Sequence, residues 1–221
     1  MDLLKLIRSF EELLFEVLTW LIYYPRTLGL IARRPLRMIR YSNHELKDSE
    51  EEQYTDTLSP PLLLLITIGL MHLIELGMPQ RDVLTGRAAQ AIFQSDQNVV
   101  MLRSFLFGLL SLFAALAVVR NRRQPLERKL LRAPFYGQCY LAAVYALLVS
   151  LAGLAAKTGI PHAGPIGVAG LLAATIWYLV VQTMQFRQAL TVSWGRAAGI
   201  SARVYLEAVF AVIVIALILQ S

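Results

Sequence analysis

The sequence predicts an all-α polytopic membrane protein, with five transmembrane helices preceded by an interfacial amphipathic helix. Three observations carry that expectation. The 221 residues are 57% hydrophobic and only 16% charged, with a mean hydropathy of +0.55, whereas a soluble domain is nearer about 45–50% apolar and 25% charged. Five stretches approach the roughly 20 apolar residues that a helix needs to cross a bilayer without leaving backbone groups unpaired in hydrocarbon. Lys and Arg are also distributed unevenly between the segments that separate those stretches.

The expected spans are Pro60–Gly77, Val99–Val119, Phe135–Ala156, Pro165–Met184 and Val204–Leu219. The links are short, and two contain helix breakers, Gly159 and Pro161 in one and Gly195 and Gly199 in the other. A leader of residues 1–58 therefore precedes a transmembrane domain of residues 59–221. In the leader Leu3, Ile7, Phe10, Leu14, Val17 and Leu21 recur at helical spacing, while Lys5, Arg8, Glu11, Glu12 and Glu16 take other faces. These charges make insertion costly, so the segment is expected to lie in the membrane plane, with Trp20, Tyr23 and Tyr24 at the headgroup level. They also interrupt the apolar core that a cleavable signal peptide would need. Pro25 is expected to end this helix. A basic stretch, Pro25–Arg40, and a polar run, Glu45–Asp56, follow.

The basic residues set the orientation. Eight lie in the leader, six in the link after the second span and three in the link after the fourth. The amino terminus and these links are thus expected in the cytoplasm and Ser221 on the far side. Short links and the lack of a glycosylation sequon favour a bacterial inner membrane. The positive-inside rule and neighbouring anionic headgroups account for the basic loops, so no nucleic-acid partner is expected. Arg33, Arg34, Arg37 and Arg40 of the leader, with Arg122 and Arg123, are the candidate contacts to anionic lipid or to a protein partner.

Two short segments carry a family resemblance. Asp56-Thr57-Leu58-Ser59-Pro60 resembles the Asp-Leu-Tyr-Gly-Pro that precedes the first span of Yip1-domain proteins, with Asp and Pro in matching places. Phe135-Tyr136-Gly137-Gln138-Cys139 is similar to that family's Tyr-Gly-Tyr-Ser in its Tyr and Gly, and Tyr24-Pro25-Arg26 with Arg33-Arg34-Pro35 resembles the leader of bacterial members. The resemblance spans the chain and implies a five-span integral membrane protein. Eukaryotic members are trafficking factors associated with small GTPases; a bacterial cell has no vesicle traffic, and that partner is not carried over.

Ionisable residues inside spans are functional candidates because they are costly there. His72 and Glu75 share a face of the first span, and Arg103 lies at matching depth in the second, which predicts a Glu75–Arg103 pair near the outer boundary with His72 hydrogen-bonded beside it. The competing use is a proton relay or substrate contact. Glu207 stands one turn after Arg203 and is expected to pair with it, too far from Glu75 to make an acid–base dyad. Gln138, Cys139 and Tyr140, with Gln182, Gln185, Arg187 and Gln188, place polar groups at the cytoplasmic ends of spans three and four. They either link neighbouring helices or line a polar pocket. Gly167, Gly170 and the alanines around them predict close packing of those two spans.

No metal-ligand spacing, disulfide pair or phosphate-binding loop is present in the sequence, and Cys139 has no neighbouring base. No cofactor, metal or catalytic residue is expected. The sequence thus favours a non-enzymatic organising or accessory subunit that engages anionic lipid and a protein partner or a second copy of itself. A small transporter or lipid-handling protein is the alternative.

Overall fold

The computed structural model describes residues 3–78, 96–158 and 160–218. Among them are seven helices: α1 Leu3–Arg33, α2 Pro35–Glu45, α3 Pro60–Leu76, α4 Asp96–Asn121, α5 Arg128–Lys157, α6 Ala163–Leu190 and α7 Trp194–Ile218. Four of them, α4 to α7, are long and apolar enough to cross a membrane, and α3 is a shorter apolar helix. The fold is therefore an all-helical membrane bundle.

Pro25 does not end α1. The helix continues two turns past it to Arg33, because the residues that follow are fixed by packing. Thr27 and Ile31 have no exposed surface. The Thr27 hydroxyl donates to the Tyr23 carbonyl at 2.7 Å and lies 3.2 Å from the Leu58 amide, which donates to it. The carbonyl four residues before Pro25 loses its helical donor, but it belongs to Leu21, which is exposed. The break comes instead at Arg34, whose φ and ψ of −142° and 60° leave the helix, with Pro35 opening α2. Arg33, Arg34, Arg37 and Arg40 are all exposed around this bend, while Met38, Ile39 and Ser42 are buried against α5.

Gly195 and Gly199 also lie inside a helix rather than in a link. A helical glycine costs about 1 kcal/mol relative to alanine, and Ala197, Ser201 and Val204 bury the same turns of α7. The connection from α6 is only Thr191, Val192 and Ser193. Pro161 sits in the turn before α6, and Gly159 lies outside the described residues.

The helix at the centre is α5. Of its apolar window 61% is buried inside the bundle, against 44% for α4, 22% for α6 and 17% for α7, which places α6 and α7 outermost. Its small residues allow this. Gly137, Ala142, Ala143, Ala146 and Ala152 are buried along its length, and α2, α3, α4 and α6 all pack on it. The closest approach is to α6, where a methyl group added at Gly167 would stand 2.5 Å from the Ala156 Cβ and 2.9 Å from the Ala152 carbonyl oxygen.

Replacing Gly167 with Val is expected to destabilise the bundle by about 1–3 kcal/mol through overpacking. Gly153→Ala, at a position with nothing within 4 Å, is the control and is expected to leave stability unchanged or raised by about 1 kcal/mol. Thermal unfolding in detergent checks both.

Candidate functional site

The chain places its polar chemistry in three layers along the bundle. At the end where α3 finishes and α4 begins, the Arg103 Nη1 lies 2.8 Å from the Glu75 Oε2, with side-chain exposures of 26% and 8%. The approach satisfies an ion pair although it is not aligned as a hydrogen bond. Low exposure on both partners separates this pair from a solvated surface bridge. His72 is one turn earlier on α3, but its buried Nδ1 has no hydrogen-bond partner. Glu207 Oε1 is 2.7 Å from Arg203 Nε within α7, and the two carboxylates are not brought together.

The second layer is made of amides inside the bundle, at a depth it shares with the basic end, since Gln138 stands between Tyr136 and Tyr140 on α5. Antiparallel packing sets Tyr145 of α5 beside Thr175 and Tyr178 of α6: its hydroxyl is 3.1 Å from the Thr175 hydroxyl, and its ring stacks on Tyr178 at 4.7 Å. Moving seven residues along each helix from these contacts brings Gln138 level with Gln182 and Gln185. Both polar side-chain atoms of Gln138 and of Gln182, and the Oε1 of Gln185, are buried without a hydrogen-bond partner. Donors and acceptors are thus both free in a low-dielectric interior, where an unmade hydrogen bond costs about 1–3 kcal/mol. Cys139 beside them is buried, and the Ser111 hydroxyl on α4 donates to the Phe107 carbonyl at 3.0 Å. Among the described residues no group of three His, Cys, Asp or Glu could hold a metal.

The third layer is the basic end, where tyrosines bind the leader to the bundle. The Tyr41 hydroxyl donates to Asp56 Oδ1 at 2.5 Å, the Thr57 hydroxyl donates to Tyr41 at 3.1 Å, and Tyr140 donates to the Leu58 carbonyl at 2.8 Å. Burial pushes the Tyr54 phenol up to about 12, although its bond to Ser42 works the other way. The ring of Tyr54 stacks on Tyr136 at 6.5 Å.

Of the basic residues read as contacts, Arg40 donates to Gln188 Oε1 at 3.2 Å and Arg122 to the Ala189 carbonyl at 3.1 Å. Both therefore tie to the carboxy-terminal turn of α6, where cations complement the helix dipole. Arg123 is exposed in the turn after α4 with a φ of 54°. The structure instead gathers a set that the sequence reading did not single out. Arg128, Lys129 and Arg132 line a recess of about 770 Å³ whose apolar walls include Leu112, Leu131 and Phe135. Arg132 lies over the Tyr136 ring at 5.4 Å. The i, i+4 spacing of Arg128 and Arg132, with Phe135 and Tyr136 following, was the available signal.

No known family, no curated protein and no solved structure matches this chain.

Glu75→Gln and Arg103→Gln are each expected to lower the melting temperature in detergent, and the double variant to lose less than the two losses added. Strict additivity would remove the coupling. Gln182→Leu should do the opposite and raise stability by about 1–2 kcal/mol, since it removes two unpartnered polar atoms from a buried site.

Proposed function

We propose that this protein is a non-enzymatic integral membrane protein that recognises anionic lipid at its basic end and acts as an organising or accessory subunit for a protein partner or a second copy of itself. The observation that carries this reading is the recess of Arg128, Lys129 and Arg132. All three sit in the first two turns of α5, where unpaired backbone N–H groups already carry positive partial charge. Cations at that end of a helix repel its dipole, and among the described residues none of the three has a carboxylate partner. A bound phosphate or other anion relieves the repulsion and uses both the helix terminus and the side chains. The apolar walls suit the upper part of an acyl chain.

Three further features support the same reading. α1 exposes Phe10, Leu13, Leu14, Leu18 and Leu21 along its length, a face suited to lying in the interface beside the headgroups. α3 has 17 residues, about 25 Å, which a fifth span accommodates by local thinning of the bilayer. The weight of Lys and Arg at the basic end supports a cytoplasmic location for it, in a bacterial inner membrane, with the carboxy terminus opposite. Kinship with the Yip1-domain family is part of the proposal. It is supported by the closeness of the two motif segments, since Thr57, Leu58 and Ser59 of one line a common recess with Tyr136 of the other.

The buried amide layer favours one second reading, a small transporter in which Gln138 and Gln182 offer donors and acceptors to a polar solute. In that case Gln182→Leu stabilises the protein and abolishes uptake into vesicles.

The test of the lipid reading is binding of phosphatidylglycerol to the delipidated full chain by native mass spectrometry. At about 1 kcal/mol per basic residue, Arg128→Gln with Arg132→Gln is expected to weaken binding roughly 10- to 30-fold. Changing Arg33 and Arg37, which lie outside the recess, should have a smaller effect. Equal losses from the two pairs would reduce the recess to part of a diffuse basic surface.

A further inference from the structure

A second recess opens beside the basic one. It measures about 520 Å³ and is bounded by α1, the turn before α3 and the start of α5. Glu16, Trp20, Tyr23, Glu50, Tyr54 and Tyr136 are among its walls. Five aromatic rings, with Phe15 as the fifth, and two carboxylates make a lining of opposite character to the neighbouring recess, and no Lys or Arg contributes to it. Tyr136 is a wall of both cavities.

This chemistry is that of a cation site. Aromatic faces attract ammonium and guanidinium groups through their quadrupoles, and two of these rings already do so from outside the cavity. Arg26 lies 6.0 Å from the Tyr23 ring centre and Arg132 lies 5.4 Å from that of Tyr136. Arg26 is turned toward Asp56, at 3.9 Å, and not into the recess. Glu16 and Glu50 are exposed and, among the described residues, neither has an ion-pair partner. Their charge is thus available to a ligand.

The position of the site selects the ligand. The recess opens beside the exposed apolar face of α1, where Phe15 and Trp20 line it, and it shares Tyr136 with a cluster of three cations. An ammonium on one side of that ring and a phosphate on the other match the two charge patterns. We infer that the second recess receives the primary ammonium of a zwitterionic phospholipid, phosphatidylethanolamine in chemical class, while the phosphate of the same headgroup faces Arg128 and Arg132. A primary ammonium fits better than a quaternary one because its N–H groups can donate to Glu16 and Glu50. The inference rests on the proposed lipid recognition for its phosphate half, whereas the ammonium half stands on its own lining.

The experiment uses the delipidated full chain in detergent and native mass spectrometry with dioleoyl phosphatidylethanolamine, phosphatidylcholine and phosphatidylglycerol in parallel. Glu16→Gln combined with Glu50→Gln, both at exposed positions, is expected to weaken phosphatidylethanolamine binding about tenfold and to leave phosphatidylglycerol binding unchanged. Trp20→Leu should act in the same direction. Unchanged phosphatidylethanolamine binding in the double variant overturns the inference, as does an equal loss for both lipids. Phosphatidylcholine binding as strongly as phosphatidylethanolamine overturns the role of the carboxylates. Free ethanolamine that competes as well as the whole lipid overturns the lipid source. Loss of phosphatidylglycerol binding in Arg128→Gln with Arg132→Gln reads the basic recess separately, so the two readings fail independently.

Discussion

The whole arrangement depends on how closely other helices approach α5. In lipid there is no hydrophobic drive between helices, so association rests on packing and on interhelical polar contacts. Small residues on α5 provide that packing on several sides at once. At Gly137 a Cβ would stand 2.9 Å from the Ile39 side chain of α2, and at Gly170 of α6 one would stand 3.1 Å from the Ala152 Cβ. The first contact sets the depth at which the leader is seated. The second fixes the α5–α6 register that carries Gln138 to the level of Gln182. The aromatic stack of Tyr145 and Tyr178 lies between these contacts and is consistent with the same register.

Seating of the leader has a further consequence for the basic end. Once Ile39 is against Gly137, Tyr41 and Ser42 reach the turn before α3, where Tyr41 donates to Asp56 and accepts from Thr57 while Ser42 shares a hydrogen bond with Tyr54. That turn is polar backbone buried in part at Thr57 and Leu58, where unpaired groups are expensive. Tyr140 closes it by donating to the Leu58 carbonyl from within α5. The leader and the bundle therefore hold each other. Both recesses form along this seam, because Tyr136 and Arg132 lie on the turns of α5 adjoining Gly137.

The sequence disclosed what hydrophobicity and depth determine. Apolar length locates α4 to α7, and equal depth pairs Glu75 with Arg103, since both facts depend on counting residues from a membrane boundary. It failed where tertiary contact outweighs a local preference. Pro25 and the glycines at 195 and 199 are breakers by propensity, yet the residues around them are buried, and that packing offsets a cost of about 1–3 kcal/mol per position. Arg128, Lys129 and Arg132 were hidden for a different reason: a rule about sidedness explains why basic residues occur in that link and is silent about which of them share a cavity. The aromatic recess draws on α1, the turn before α3 and α5, and no single window of sequence contains it.

The two ends of the bundle treat charge in opposite ways, and the contrast bears on function. Near Glu75 a buried carboxylate meets Arg103 within the fold, so folding itself settles the electrostatic demand. At the other end three cations crowd the positive terminus of α5 while two carboxylates stand across Tyr136. The exposed positions of Glu16 and Glu50 allow solvent to screen them, but the cations at the helix terminus also face its dipole, an unfavourable contribution of about 0.3–1 kcal/mol for each in the first turn. Positive-inside sorting would be met equally well by placing those residues a few positions earlier, in the Arg122–Glu127 link, away from the helix terminus. Their location on α5 therefore adds a cost that orientation alone does not require. Under the proposed lipid recognition, a ligand carrying a negative group beside a positive one would remove that cost and satisfy both linings at the seam around Tyr136.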